Sequence, residues 1–333
     1  MSEAEPIISV RDLCVNIKMD EGLLTPVRGI SFDIRPGETL GLVGESGCGK
    51  SLTSKAILAI NDKKCSSTGQ ILFRDEQENT VDILKMDPRG KEIRAIRGKQ
   101  ISMIFQEPMV AFSPMYTIGN QINECTRLHI TKDKVQSKKI TLDMMEKVGI
   151  ANAVKRYDQY PHEFSGGMLQ RALIAMALVC RPRLLIADEP TTALDVTVQK
   201  QVLDLLNARR KELGTAVILI THDLGVVKQY AHRIQVMYAG SIVESAETSE
   251  LLTHPRHAYT RALMSSIPGT HGKGEHLPTI PGLPPTLKKP VCGCAFRPRN
   301  IIGKPELCLT DRTPELVEIS PRHFVRNCPG CLS

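Results

Sequence analysis

Four short apolar runs, each closed by glycine or polar residues, set the frame of this chain. Thr39 to Val43 feeds a glycine-rich loop, and Leu52 to Ile60 beyond it repeats apolar positions at helical spacing. The pattern predicts a strand, a loop and a helix in succession. Runs at Ile101 to Phe105, Leu184 to Ala187 and Val217 to Ile220 are uninterrupted and then give way to polar residues. That is the texture of parallel strands buried on both faces, with functional side chains at their carboxyl ends. An α/β core follows. From about 107 to 163 no comparable strand run occurs, and the segment reads as a mainly helical subdomain inserted into that core. A membrane span needs roughly 18 to 20 consecutive apolar residues. The longest candidate, Ala172 to Cys180, falls well short, and the N-terminus lacks a signal-peptide core. The expectation is a cytosolic chain whose membrane role, where it has one, comes through partners.

The texture changes near Leu252. Twelve of the 21 prolines lie between 253 and 333, and Pro281-Gly282-Leu283-Pro284-Pro285 reads as an extended linker. The expected division is therefore 1–252 and 253–333. No repeat with a period of about 20 to 50 residues is visible, which excludes a solenoid. The last segment also carries most of the formal charge of +7, with eleven Lys or Arg against five Asp or Glu. A nearly neutral body argues against nucleic acid as a partner. Of ten cysteines, five are scattered, while Cys292, Cys294, Cys308, Cys328 and Cys331 crowd the last 42 positions. Without an export signal these read as reduced thiols rather than a disulfide framework.

Gly44-Glu45-Ser46-Gly47-Cys48-Gly49-Lys50-Ser51, followed by Leu52, matches the phosphate-binding pattern GxxxxGKS between a strand and a helix. Its glycines let backbone N–H groups converge on phosphate oxygens, Lys50 adds a positive charge and Ser51 can ligate Mg²⁺. Leu184 to Glu189 delivers Asp188 and Glu189 at a strand end. Asp188 suits a magnesium site, and Glu189 suits the general base that polarises attacking water. Phe164-Ser165-Gly166-Gly167-Met168, then Gln170-Arg171, places a serine and two glycines at a helix start, a second anion site.

That segment resembles the signature motif of ABC ATPases. Gln106, the Ala193-Leu194-Asp195 turn and Thr221-His222-Asp223 resemble the remaining motifs of that family in order and distance. The resemblance implies a P-loop cassette with a RecA-like core, a helical subdomain over about 107–180 and N-terminal antiparallel β elements. It assigns Gln106 to Mg²⁺ and the attacking water, Asp195 to communication across a dimer and His222 to the γ-phosphate. Ser165, Gly166 and Gly167 would cap ATP held by the opposite subunit. Ile17 stands where the family usually stacks adenine on an aromatic ring, so weaker base selectivity or a substitute ring is expected.

Tyr160 to Met168, Phe105 to Met109 and His254-Pro255-Arg256-His257-Ala258-Tyr259-Thr260 narrow the resemblance to the dipeptide, oligopeptide and nickel importers. It then implies a second cassette, two transmembrane permeases and an extracytoplasmic binding protein, at the cytoplasmic face of a bacterial inner membrane. It leaves nucleic acid outside the expected partners and does not name the cargo. The family's extension carries cysteines that bind a 4Fe-4S cluster. Cys294, Cys308 and Cys328 match, Asn300 replaces the second cysteine, and Cys292 or Cys331 would complete four ligands for iron–sulfur or zinc.

Overall fold

Apolar runs become strands here, and glycines and capping side chains decide where elements stop. The structure, a computed structural model, describes residues 5–20, 22–191, 194–266, 279–288 and 291–332. In chain order the first elements are β1 (Ile8–Met19), β2 (Gly22–Ile34), β3 (Thr39–Val43), α1 (Lys50–Ile57), β4 (Cys65–Arg74) and β5 (Thr80–Asp82). Next come α2 (Lys91–Ile96), β6 (Ile101–Ile104), α3 (Pro108–Ala111), α4 (Ile118–His129), α5 (Lys134–Lys147), α6 (Ala153–Tyr157) and α7 (Gly166–Leu178). Then follow β7 (Leu184–Asp188), α8 (Val196–Leu213), β8 (Ala216–Thr221), α9 (Leu224–Tyr230), β9 (Arg233–Tyr238) and β10 (Ser241–Glu247). The last are α10 (Thr248–Thr253), α11 (Ala258–Ser265), β11 (Leu316–Ser320) and β12 (His323–Arg326). The four predicted core strands form where expected. The first helix does not, since it starts at Lys50 and stops at Ile57. Gly49 at φ +107° supplies its N-cap, and Ala59 turns left-handed at φ +51°, where helix cannot continue.

The chain divides into two compact units. One gathers Ile34–Glu38 and Phe73–Ile218 with the residues up to Ile8; the other gathers Ser9–Asp33, Thr39–Leu72 and Leu219–Ser333. In the first, β6 and β7 pair in parallel with Ile101 opposite Leu184 and Ile104 opposite Ala187. Both strands are buried along their whole length. The segment expected to be helical carries α3 to α7, and Ala172 to Cys180 falls largely on α7. Thr117 caps α4 and Asp133 caps α5 through their side chains. Gly119 lets α4 lie against Tyr157, since a Cβ there would stand 2.2 Å from the ring.

In the second unit β3 pairs in parallel with β9, Leu40 opposite Arg233 and Val43 opposite Val236. β9 and β10 form a hairpin across Ala239 and Gly240, at φ +46° and +83°, the two positive values of a type I′ turn. β12 adds to β10 and β11 to β12, both antiparallel, so two strands from beyond residue 252 extend the sheet that holds β3. One buried core contains Val43, Tyr238 and Val243 together with Tyr259, Phe296, Cys294, Cys308, Cys328 and Cys331. The composition break near Leu252 is thus no break in packing. The fully buried Glu244 of β10 ties the segments together, accepting hydrogen bonds from Arg256 N (2.7 Å), His257 N (3.0 Å) and His323 Nε2 (2.8 Å).

His257 caps α11, its Nδ1 accepting from Tyr259 N at 3.1 Å, and burial lowers its pKa to about 3. The unfolded chain takes up this proton near the ordinary value of 6.5, while the folded chain resists until about 3. Stability from this group is complete above that ordinary value and declines as the pH falls toward the folded one. Urea unfolding between about pH 7 and 4.5 should show His257→Asn, which keeps a capping acceptor but cannot titrate, with a shallower slope by up to roughly one proton. Equal slopes would contradict this.

Candidate functional site

The glycine loop sits in the second unit at the end of β3. A Cβ on Gly44 would lie 2.1 Å from Met237 O, and one on Gly49 would lie 2.4 Å from Pro26 O. Only glycine fits at either place, because the contacts are with backbone that cannot step aside. Lys50 is buried, its Nζ donating to Gly44 O (2.7 Å) and Glu45 O (3.0 Å), so the loop curls around its own cation. Gly49 offers α1 no capping side chain, which leaves the first-turn N–H groups available to an anion. Ser51 and Leu52 lie half-buried on that first turn. Burial raises the pKa of Cys48, marking it as a packing thiol. Exposed His222 follows β8, between Thr221, whose Oγ1 accepts from Asp223 N at 3.0 Å, and Asp223, which caps α9. Ile17 lies half-buried on β1.

The first unit holds the other candidates. Because Ile104 stands opposite Ala187, Gln106 and Glu189 emerge level with each other two residues beyond. Gln106 Nε2 donates to Glu189 Oε2 at 3.0 Å. Asp188 is buried at the end of β7, and Glu189 takes φ +47°, a costly conformation for a non-glycine residue. That turn aims its carboxylate sideways toward the exposed Gln106.

Ser165 caps α7, its Oγ accepting from Met168 N at 3.4 Å, and both Ser165 and Gly166 face solvent. A Cβ on Gly167 would meet Val198 at 3.0 Å, so α7 packs closely on α8. Asp195 caps α8 by accepting from Thr197 N (3.1 Å) and Val198 N (3.0 Å). Next to it Val196 is 83 % exposed. Ala193 lies outside the described residues.

Four of the five C-terminal cysteines converge. The sulfurs of Cys294, Cys308, Cys328 and Cys331, all buried, lie within 4.8 Å of one another. Cys331 is 3.5 Å from Cys294 and 3.8 Å from Cys308. Cys292 is excluded from the set, being exposed with its thiol donating to Asp311 O at 3.0 Å. Asn300, at the position of the expected cysteine, stays beside the site. Its Nδ2 donates to Gly330 O at 2.7 Å and lies 3.6 Å and 3.7 Å from the sulfurs of Cys308 and Cys331. Hydrogen bonds from Cys294 and Cys331 hold the Cys328 pKa well below the ordinary thiol value, while that of Cys294 is pushed up to about 12 by its bond to Cys328.

Sequence reasoning missed Tyr259 and Arg299 as neighbours of the glycine loop. Tyr259 Oη accepts from Glu45 N at 3.0 Å, and Arg299 grips the Glu45 carboxylate at 2.6 Å and 2.9 Å. Tyr259 was visible in the sequence only as a mark of family resemblance, and nothing local tied either residue to a loop more than 200 positions away.

A strand-to-helix glycine loop with its buried lysine, an acidic strand end and a serine-capped glycine helix define a P-loop ATP-binding cassette. The chain matches the family described as ABC transporter over residues 27–192, and the oligopeptide/dipeptide transporter C-terminal region over residues 243–308. It is 46 % identical to a dipeptide transport ATP-binding protein of Bacillus subtilis, over 89 % of this chain and 87 % of that one. To an oligopeptide transport ATP-binding protein of Haemophilus influenzae it is also 46 % identical, over 88 % and 89 % of the two chains. Among solved structures, a dimeric ATP-binding cassette bound to ADP and phosphate superposes with a TM-score of 0.63 at 23 % identity, covering 72 % of this chain and 98 % of that one. The cassette cbiO1 of Clostridium perfringens gives 0.62 at 26 % identity, covering 75 % and 92 %. This chain belongs to the ATP-binding proteins of the ABC transporter family that carry the oligopeptide/dipeptide C-terminal region.

Proposed function

We propose that this chain is the ATP-hydrolysing subunit of an importer that takes up di- or oligopeptides through separate permease subunits. The observation that carries the reading is the joint match to an ATP-binding cassette and to the oligopeptide/dipeptide C-terminal region in one chain. In this reading Gly44 to Leu52 receives the phosphates, and Lys50 exchanges its two loop carbonyls for phosphate oxygens. Ser51, Asp188 and Gln106 carry the side-chain oxygens that would hold a magnesium ion bound with the nucleotide, which would supply charge neutralisation there. Glu189 orients and deprotonates the attacking water, with Gln106 fixing its carboxylate and His222 reaching the γ-phosphate. Exposed Ser165 and Gly166, with half-buried Gly167, serve the nucleotide of a second cassette, with Asp195 and the exposed Val196 at the same contact. That second cassette is a non-identical relative.

The helical subdomain supplies the place for the permeases. A groove of about 840 Å³ is lined by Ser113, Tyr116, Asn120, Gln121, Glu124 and Leu128. In the stretch that leads to it Met109, Val110, Met115 and Tyr116 are between 59 % and 78 % exposed, more apolar surface than one short stretch leaves to water without use. A short amphipathic helix from a cytoplasmic permease loop fits such a groove. No helix among the described residues is long and apolar enough to cross a membrane. Docking of this kind would hold the chain at the cytoplasmic membrane face. An extracytoplasmic binding protein would select the peptide.

The four converging thiols suit a soft metal. Tetrahedral Zn–S bonds of about 2.3 Å put sulfurs about 3.8 Å apart, and the recorded 3.5 Å and 3.8 Å separations match. A four-iron cluster stands its own irons between the ligand sulfurs and spreads them farther, so the spacing favours a single ion held by Cys294, Cys308, Cys328 and Cys331. With all four positions filled by thiolate, such an ion supplies a structural cross-link.

Three measurements test this reading. Glu189→Gln should lower ATP turnover by at least about 100-fold while leaving ATP binding in place; normal turnover would refute the base assignment. Tagged protein isolated from gently solubilised membranes should bring two permeases and a second cassette, whereas recovery with ribosomes or DNA alone would overturn the transport role. Anaerobically purified chain should be colourless with one zinc, lost in Cys331→Ser and kept in Cys292→Ser. Brown protein with iron and sulfide would replace the single ion by a cluster, and metal-free protein would remove both.

A further inference from the structure

Two side chains from beyond residue 252 take hold of Glu45, the second residue of the phosphate loop. The Glu45 N–H donates to Tyr259 Oη at 3.0 Å. Its carboxylate accepts both ends of the Arg299 guanidinium, Nη1 on Oε2 at 2.6 Å and Nη2 on Oε1 at 2.9 Å, the bidentate geometry that gives arginine–carboxylate pairs their strength. Arg299 itself is fixed from every side. Nε donates to Pro281 O (2.8 Å), Nη2 to Ile280 O (3.3 Å) and Nη1 to Tyr238 Oη (3.4 Å), and the group lies 5.8 Å from the centre of the Tyr238 ring. Its residue is only 5 % exposed. Tyr259 is held in a buried trio with Tyr238 and Phe296, ring centres 4.5 to 5.4 Å apart.

Glu45 needs such a hold for two reasons. It brings a negative charge into a loop that must accept a polyanion, and an unneutralised carboxylate there opposes phosphate. Its carbonyl also accepts from Lys50 Nζ (3.0 Å) and Cys48 N (3.3 Å), so its backbone sets where the loop's cation and third turn lie. A residue free to swing would spoil both.

We infer that Arg299 and Tyr259 are positioning residues for ATP binding, holding Glu45 from the C-terminal extension so that the phosphate loop keeps its shape and its acidic side chain is neutralised. The inference rests on the reading of Gly44 to Ser51 as the ATP site. The extension thereby becomes part of the nucleotide site, and its linker carbonyls at 280 and 281 share the same guanidinium.

The test is equilibrium binding of ATP to the full-length chain, with KM and kcat alongside. Arg299→Met should raise the ATP Kd about tenfold, as expected for loss of charge-assisted hydrogen bonds, with KM rising more than kcat falls. Glu45→Gln, which removes the charge that needs neutralising, should restore much of the affinity when combined with Arg299→Met. An arginine that merely supports the fold would lower the thermal midpoint without moving Kd, and Glu45→Gln would not rescue it. Should Arg299→Met fail to fold, Tyr259→Phe decides, since it deletes one hydroxyl from an intact ring and should weaken binding about threefold. Unchanged Kd in the folded variants, or strictly additive effects in the double variant, overturns the inference. A wild-type chain that binds no ATP overturns instead the site reading on which it stands.

Discussion

At Gly44 and Gly49 the backbone of the phosphate loop has no space around it, and the rest of the second unit is arranged to keep it so. Met237 O stands where a side chain of residue 44 would go, and Pro26 O where one of residue 49 would go. Those carbonyls belong to β9 and β2, so strand placement, not the loop's own sequence, fixes the hollow that receives phosphate. The type I′ turn joining β9 and β10 is pinned to the same spot. Gly240 N donates to Cys48 O at 3.0 Å, Arg28 N donates to Gly240 O at 2.7 Å, and the Arg28 guanidinium grips Ala239 O. Loops that bind polyanions through backbone N–H groups gain from this kind of rigidity, because any flexibility removed beforehand is not lost on binding.

The extension continues that logic outward. A segment rich in proline and poor in regular structure buries little apolar surface by itself, and segments of this kind usually need a staple. Here three devices replace a separate core: strands β11 and β12 added to β10, the buried Glu244 bound by three donors, and four thiols drawn together. The backbone joins them, since Ala258 N at the start of α11 donates to Cys331 O at 2.8 Å. Holding α11 in place also holds Tyr259, and the turn at 297–299 that precedes Asn300 also presents Arg299. The thiol site and the grip on Glu45 are therefore neighbours on one short stretch of chain.

Much of this was legible in sequence where chemistry is written locally. Gly44, Gly49, Lys50 and Ser51 fall within eight positions, so the loop could be read without coordinates. Ser165 sits next to the helix it starts. The first helix was carried three residues too far because hydrophobic spacing reports a buried face and is blind to Ala59 turning left-handed. The choice between Cys292 and Cys331 was illegible for another reason. It depends on which sulfur points inward, and that is set by the turn at Gly293, where a Cβ would strike Leu309 O at 2.5 Å. The bond between Glu45 and Arg299 spans 254 positions and involves two common residue types, so no periodicity or motif announces it.

The first unit shows how docking and chemistry can share one lever. Gln106 is the last residue before the segment that opens the helical subdomain, with α3 beginning two positions later at Pro108. On its other side it donates to Glu189 at 3.0 Å. Between them stands the parallel pair β6 and β7, buried throughout and unable to shear by less than a full register step. A push on the exposed Met109, Val110, Met115 and Tyr116 would therefore be taken up at Gln106 rather than spread into the sheet. Glu189 is the responsive end of that contact because its left-handed backbone is held only by its surroundings. Under the proposed docking, a permease helix in the groove acts on the carboxylate through one amide, and the same amide carries the approach of nucleotide back to the groove.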